Sequence, residues 1–221
     1  MRIKICGLFR DEDIDFINEA RPDYAGFVFA KSPGQVSVPL AQYLRFRLVN
    51  DIIPVGIFAN APIKEIAELY RNGIISIAQL HGDEDESYIS ALKKTSAGAN
   101  PAVKPVSVIK VIKTDVLKNT EARSLNSKIS GIAAFADYLL IDSGADSDKS
   151  FNRKTLNKIK FPKPWFLSGS ININNIKQAM ELNPFAIDIS SGAETNGIKD
   201  RSKILNLVAA AKGFAAKLQE H

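Results

Sequence analysis

Eight short apolar, β-branched runs, each followed by a longer segment of helical period, constrain this chain more than any other feature. The runs are Arg2–Cys6, Tyr24–Phe29, Pro54–Phe58, Ser76–Leu80, Val106–Ile112, Tyr138–Ile141, Trp165–Leu167 and Phe185–Ile189. Several, such as Gly26-Phe27-Val28-Phe29 and Leu139-Leu140-Ile141, are apolar on both faces, the pattern of parallel strands packed within and covered by helices outside. The intervals carry one-sided stripes. Ile14, Ile17 and Ala20 form one, and Ile63, Ile66, Ala67 and Tyr70 form another behind Pro62, a residue favoured at a first helical turn. Ile176, Ala179 and Met180 repeat the pattern, and the last segment, Arg201–Leu218, aligns Ile204, Leu207, Val208, Ala211, Phe214, Ala215 and Leu218. With 221 residues, 45% hydrophobic, the chain carries a sizeable core, and no linker rich in Gly, Ser or Pro divides it. The expectation is an α/β fold, a single-domain (β/α)8 TIM barrel over residues 1–221, rather than a doubly wound sheet.

Composition narrows the partners. The net charge of +5 is spread over scattered lysines, with no basic block interleaved with aromatics, so no nucleic acid is expected as a partner. No stretch approaches the ~18 consecutive apolar residues of a membrane span, so no membrane role is expected. One cysteine cannot pair within the chain, and Met1-Arg2-Ile3-Lys4 leads into strand sequence without an apolar signal region, which points to a cytoplasmic location. A monomer and a homodimer are both compatible with the sequence.

In a barrel of this kind the chemistry sits at the C-terminal ends of the strands. That test selects Cys6, the Lys31–Val36 loop, His81, Asp142, Ser168-Gly169 and Ser190-Ser191-Gly192. A lone cysteine is commonly a small buried hydrophobe, but Cys6 ends the first strand and precedes Gly7, so its thiol is expected at the barrel mouth. Asp142 follows Ile141 and projects a carboxyl group from an apolar wall, a setting that suits proton donation, although a helix cap is the plainer alternative. Ser168-Gly169-Ser170 and Ser190-Ser191-Gly192 end consecutive strands with small residues that let backbone N–H groups approach an anion, so a phosphorylated substrate is expected. His81 is read as structural or pocket-lining, because two histidines form no cluster at metal-ligand spacing. No nucleotide-binding Gly-rich loop is present, and no cofactor or metal is implied. Two connections exceed the usual ~4–6 residues. Thr95–Pro105 is expected on the face opposite the chemistry, and Ser143–Asn152 on the same face as it.

Lys4-Ile5-Cys6-Gly7, Gly26-Phe27-Val28-Phe29, Gln79-Leu80-His81-Gly82, Leu167-Ser168-Gly169 and Asp188-Ile189-Ser190-Ser191-Gly192, followed by Gly197-Ile198-Lys199-Asp200, resemble in order and spacing the signatures of the phosphoribosylanthranilate isomerase family. The resemblance covers essentially the whole chain. It implies a (β/α)8 barrel of tryptophan biosynthesis whose partner is a small phosphorylated sugar-amine, rearranged by the Amadori route with acid and base and no cofactor. It further implies that Asp142 protonates the ribose ring oxygen and that Cys6, as thiolate, removes the C2′ proton. The phosphate is then expected against Gly169, Ser170, Ser191 and Gly192, with Asp188 a further pocket residue.

Three departures from the family pattern stand out. Where the family reads Ser-Pro-Arg-x-Val, with the arginine on the anthranilate carboxylate, this chain has Ser32-Pro33-Gly34-Gln35-Val36. Gly34 makes no charge-assisted contact. The Gly-rich loop after Asp142 is replaced by Gly144–Asn152, which adds Asp146 and Asp148, and the second glycine after Ser168 is Ser170. Two other readings therefore stay open: the same Amadori chemistry on another phosphorylated amino-sugar, and a catalytically weakened barrel that binds phosphate ligands.

Overall fold

Each apolar run forms a strand within one residue of its expected bounds: β1 (Arg2–Cys6), β2 (Tyr24–Val28), β3 (Ile53–Phe58), β4 (Ile77–Leu80), β5 (Ser107–Lys113), β6 (Tyr138–Asp142), β7 (Trp165–Ser168) and β8 (Ala186–Ile189). Neighbouring strands are parallel, and β8 pairs with β1 as well as with β7, so the sheet closes into an eight-stranded barrel rather than opening as a doubly wound sheet. These features come from a computed structural model that describes residues 1–100, 102–113, 122–142, 156 and 159–219. The Gly144–Asn152 loop lies outside the described residues.

Seven helices surround the sheet among the described residues: α1 (Asp11–Ala20), α2 (Val38–Arg47), α3 (Ile63–Arg71), α4 (Glu86–Ala97), α5 (Ala122–Ala133), α6 (Ile176–Met180) and α7 (Arg201–Gln219). Local chemistry starts and stops them. The Asp13 carboxylate in the first turn of α1 accepts the N–H groups of Phe9 (3.0 Å) and Arg10 (3.1 Å), which have no helical partner of their own. The Asp85 side chain caps α4 by accepting from the Tyr88 N–H at 2.8 Å. On α7, Ile204, Leu207, Val208 and Ala211 are buried, and the helix packs on α1, α6 and β1 where the barrel closes.

One expected boundary moves. The helix α4 continues through Ala97, so the connection begins at Gly98 rather than at Thr95. Leu92 and Ser96 extend its buried face. The Ser96 hydroxyl donates to the Lys93 carbonyl and accepts from the Val106 N–H, which fastens the helix end to the approach of β5. A second feature was not expected: after β8, a single 3₁₀ turn at Ser191–Ala193 leads into a two-stranded hairpin, β9 (Glu194–Thr195) and β10 (Ile198–Lys199). It turns at Asn196-Gly197, both with positive φ, as a tight hairpin requires.

Strand alternation sorts the side chains into two apolar layers. Ile3, Ile5, Ala25, Phe27, Leu139, Ile141, Ile187 and Ile189 face the helices, whereas Tyr24, Val55, Ile77, Ile109, Val111, Leu140, Phe166 and Ala186 pack against one another inside the barrel. The inner plug is tied by edge-on aromatic contacts of Phe166 with Tyr24 and Tyr138. Above it the inward positions turn polar, with Lys4, Gln79 and Asp188 all buried.

A second buried charge lies outside the barrel. Lys110 of β5 donates to the Gly82 carbonyl (2.7 Å) and the Glu84 carboxylate (2.8 Å), and Glu84 accepts the Asn60 N–H at 2.7 Å. The pair thereby joins β5 to the loops after β3 and β4. Burial acts to raise the Glu84 pKa, but the hydrogen bonds from Lys110 and Asn60 outweigh it and hold the carboxyl below its ordinary range. Breaking such a pair on one side costs about 3–5 kcal/mol, whereas replacing both partners is far milder. Urea denaturation should therefore show a loss of about 3 kcal/mol for Lys110→Met and recovery of most of it in Lys110→Met/Glu84→Gln. Because the folded-state pKa of Glu84 is lowered, its contribution is present above the ordinary carboxylate pKa and vanishes as pH falls through the folded value. Wild-type stability should consequently decline more steeply than that of the double variant below about pH 5.

Candidate active site

The C-terminal ends of the strands surround a cavity of about 560 Å³. Of the residues expected in a site, Cys6, Gly34, Asp142, Gly169, Ser170, Asp188 and Ser191 line it together, joined by His81. Gly192 does not line it. It borders an adjoining cavity, which shares Ser170 and Ser191 with the mouth and is otherwise formed by Asn172, Asn174 and Lys203 among others.

Cys6 reaches the mouth because β2 gives way beside it. A Cβ at Gly26 would lie 2.9 Å from the Cys6 sulfur and 3.0 Å from its Cα, so only glycine leaves room for this packing. Across the mouth, Asp142 closes β6, and its carboxylate lies 3.4 Å from His81 Nε2. His81 is fixed at its backbone, where its N–H donates to the Phe58 carbonyl at 2.8 Å. The histidine is thus pocket-lining, one of the two roles expected for it.

The ends of β7 and β8 supply a rim of small residues, Ser168, Gly169 and Ser170 on one side and Ser190 and Ser191 on the other. Gly192 holds the two loops together, since a Cβ there would overlap the Ile171 carbonyl. Opposite, the loop after β2 returns to its own strand through the Val36 N–H on the Val28 carbonyl (2.8 Å), which places Ser32, Pro33 and Gly34 over the cavity. The Phe9 ring lies 3.3 Å from the position a Gly34 Cβ would take. That end of the site is apolar, with Phe9, Val28, Pro33 and Ile57 as its walls.

Charge enters from below and from the side. Lys4, with no exposed surface, pairs with Asp188 at 2.8 Å. Lys199 of β10 donates to the Ser190 carbonyl at 3.3 Å and pairs with Glu194, a cavity-lining residue of β9. Burial pushes the Cys6 thiol up, Lys4 and Lys199 draw it down, and Asp188 adds to the rise, leaving it above its ordinary value. Burial likewise acts to lower Lys4, but Asp188 and Cys6 outweigh it and hold the ammonium above the ordinary lysine range. Gln79 also lines the cavity, buried, and its Oε1 has no hydrogen-bond partner among the described residues.

Lys4, Gln79 and Lys199 stand in the motifs quoted above, but neither they nor Glu194 were given a role from the sequence. For Lys4 the signal was available: it precedes Cys6 by two on a strand, so both side chains face the same way. The pairing of Lys199 with Glu194 had no signal of its own, because the two meet only through the hairpin. Among the described residues no group of three or more His, Cys, Asp or Glu side chains is placed to hold a metal ion, and no helix is long and apolar enough to cross a membrane.

Comparison with known proteins agrees with this arrangement. Residues 3–210 match the family model of N-(5′-phosphoribosyl)anthranilate isomerase. The enzyme of that name from Endomicrobium trichonymphae is 40% identical over 94% of this chain and 96% of its own, and that from Clostridium acetobutylicum is 37% identical over 97% and 99%. A crystal structure of phosphoribosylanthranilate isomerase in complex with reduced 1-(o-carboxyphenylamino)-1-deoxyribulose 5-phosphate superposes with a TM-score of 0.75 at 27% identity, covering 96% of this chain and 99% of that one. A closed parallel barrel with a thiol and a carboxylate at one mouth, matched along nearly its whole length, places this chain in the phosphoribosylanthranilate isomerase family.

Proposed function

We propose that this chain converts N-(5′-phosphoribosyl)anthranilate into 1-(2-carboxyphenylamino)-1-deoxyribulose 5-phosphate in tryptophan biosynthesis, with Asp142 as general acid and Cys6 as general base. The observation that carries the assignment is that the two groups, contributed by β6 and β1, line one cavity. Asp142 gives its proton to the ribose ring oxygen as the bond from that oxygen to C1′ breaks, leaving an iminium between C1′ and the anthranilate nitrogen. The Cys6 thiolate then takes the C2′ proton. The electron pair of that C–H bond becomes the C1′–C2′ double bond, and the iminium π pair returns to nitrogen. The resulting enolamine tautomerises to the ketone. Acid and base act on the ring oxygen and on C2′, the two atoms that flank C1′ in one sugar, so holding them on rigid strand ends replaces two encounters with one fixed geometry.

The phosphate belongs at the β7–β8 rim, against Gly169, Ser170, Ser191 and Gly192, where small residues leave backbone N–H groups accessible. The aryl ring belongs at the apolar end formed by Phe9, Pro33 and Gly34. The ligand named in the related crystal structure carries both a phosphate and a carboxyphenyl group, the two ends this orientation needs.

Steady-state turnover, followed by the loss of substrate fluorescence, tests the reading. Cys6→Ser and Asp142→Asn should each lower kcat by about 10²–10⁴-fold, since each removes one proton-transfer group. Binding without turnover by the unmodified protein would instead favour the phosphate-binding barrel. Gly34→Arg should lower KM by about tenfold if the carboxylate lacks a cation at this position, the worth of one charge-assisted hydrogen bond. An unchanged KM would mean that another cation holds that group. Gly192→Ala, which drives a methyl group into the Ile171 carbonyl, should raise KM by roughly tenfold or more while changing kcat less, because it displaces the phosphate rim and not the acid or base.

A further inference from the structure

The mechanism asks a buried thiol to ionise, and burial opposes this. The structure assigns Lys4, clamped by Asp188, as the positioning residue that sustains Cys6 as a base. This rests on the reading of Cys6 above and extends it to a residue that does not line the cavity the sugar would fill.

The geometry follows from strand alternation and barrel closure. Lys4 and Cys6 lie two apart on β1, so both side chains point into the barrel. Closure puts Lys4 opposite Asp188 of β8 in register, and the two side chains meet at 2.8 Å. A fully buried lysine among apolar neighbours would tend to lose its proton. The carboxylate prevents that and, by taking one of the three ammonium hydrogens, fixes the direction of the other two. Lys4 and Cys6 share the inward face of β1, and the positive charge of the ammonium draws the thiol toward its ionised form. Its stem rises from within the barrel, so it stabilises the thiolate without occupying the cavity where the sugar must lie. Lys4 is absent from the cavity lining, whereas Cys6 and Asp188 are part of it.

The remaining charges around Cys6 are weaker or opposed. Lys199 approaches from the hairpin, with its ammonium 3.4 Å from where a Gly7 Cβ would lie, but it is bound to Glu194 and the Ser190 carbonyl. Asp188 itself raises the thiol, and its effect is smaller than that of Lys4. Asp142 and His81 line the same cavity, and they are paired with each other. Lys4 is therefore the cation whose removal should be felt most at the sulfur. After the C2′ proton arrives, the neutral thiol no longer draws on the ammonium, and the Lys4–Asp188 pair is left intact for the next cycle.

The chain has one cysteine, so the rate of alkylation by iodoacetamide reads the Cys6 thiolate directly, without turnover and independently of which sugar the enzyme takes. In Lys4→Met the pH profile of that rate should move to higher pH by about one unit or more, the usual effect of an opposite charge in contact. In steady-state assays kcat at neutral pH should fall by at least tenfold, with KM changed less than threefold. Because Lys4→Met strands Asp188 in the core, Lys4→Met/Asp188→Asn provides a variant with no unpaired buried charge. It should show an alkaline shift of the same sign, somewhat smaller. Lys110→Met/Glu84→Gln, which removes the buried pair outside the barrel, should leave the alkylation profile in place. An unmoved profile in both Lys4 variants, or an equal shift in the Lys110 control, would overturn the assignment. A shifted profile in an enzyme that does not isomerise phosphoribosylanthranilate would uphold the Lys4 role while sinking the substrate reading.

Discussion

The pairing of β8 with β1 is the interaction on which the site depends. It removes the two sheet edges that an open parallel sheet would leave, and it fixes Arg2 opposite Ala186, Lys4 opposite Asp188 and Ile5 opposite Ile189. A slip of one residue along β1 would turn Lys4 and Cys6 toward the helices and bring Ile3 and Ile5 inward. The apolar shell under α7 resists that slip, because Ile3, Ile5, Ile187 and Ile189 are fully buried there. A hydrophobic constraint outside the barrel thus sets an electrostatic arrangement inside it.

Inside, the barrel divides along its axis. Its lower part is filled by apolar side chains around Phe166, and its upper part by charges that each have an opposite partner. The plug excludes water from below, which strengthens every charge interaction above it. It also raises the cost of an unpaired ion, so Lys4 is found with Asp188 and Lys199 with Glu194. The same economy appears outside the barrel at Lys110 and Glu84, where the pair has a structural task, anchoring the loop that carries His81. Identical chemistry thus serves support in one place and, in the reading proposed here, reactivity in another. The difference lies in whether a titrating sulfur is within reach.

The strands were legible because Val, Ile and Leu runs apolar on both faces have few alternatives in a chain of alternating elements. The end of α4 was not, since Thr95 and Ser96 look like loop residues until Ser96 is seen bonding both its own helix and Val106. The hairpin after β8 escaped for a different reason. Strands of two residues carry no period, and Asn196-Gly197 is a turn signal without long flanking runs. Within the site, Cys6 and Asp142 could be found by position at strand ends. Gly192 was correctly placed at the end of β8, but its part as a spacer against Ile171 follows from the packing of two loops that are 21 residues apart at Ile171 and Gly192.

The sequence by itself determined the element order, the parallel sheet, and which strand ends carry a thiol, a carboxyl group and turns of small Ser and Gly residues. These are local properties, written in periodicity and in the residue that follows each apolar run. Only the tertiary structure decided which of them share a cavity, that His81 meets Asp142, and that Lys4 rather than a surface lysine is the cation beneath Cys6. The reason is physical: a charge acts over a few ångströms of low-dielectric interior, and residues 4 and 188 come that close only after the cylinder has closed.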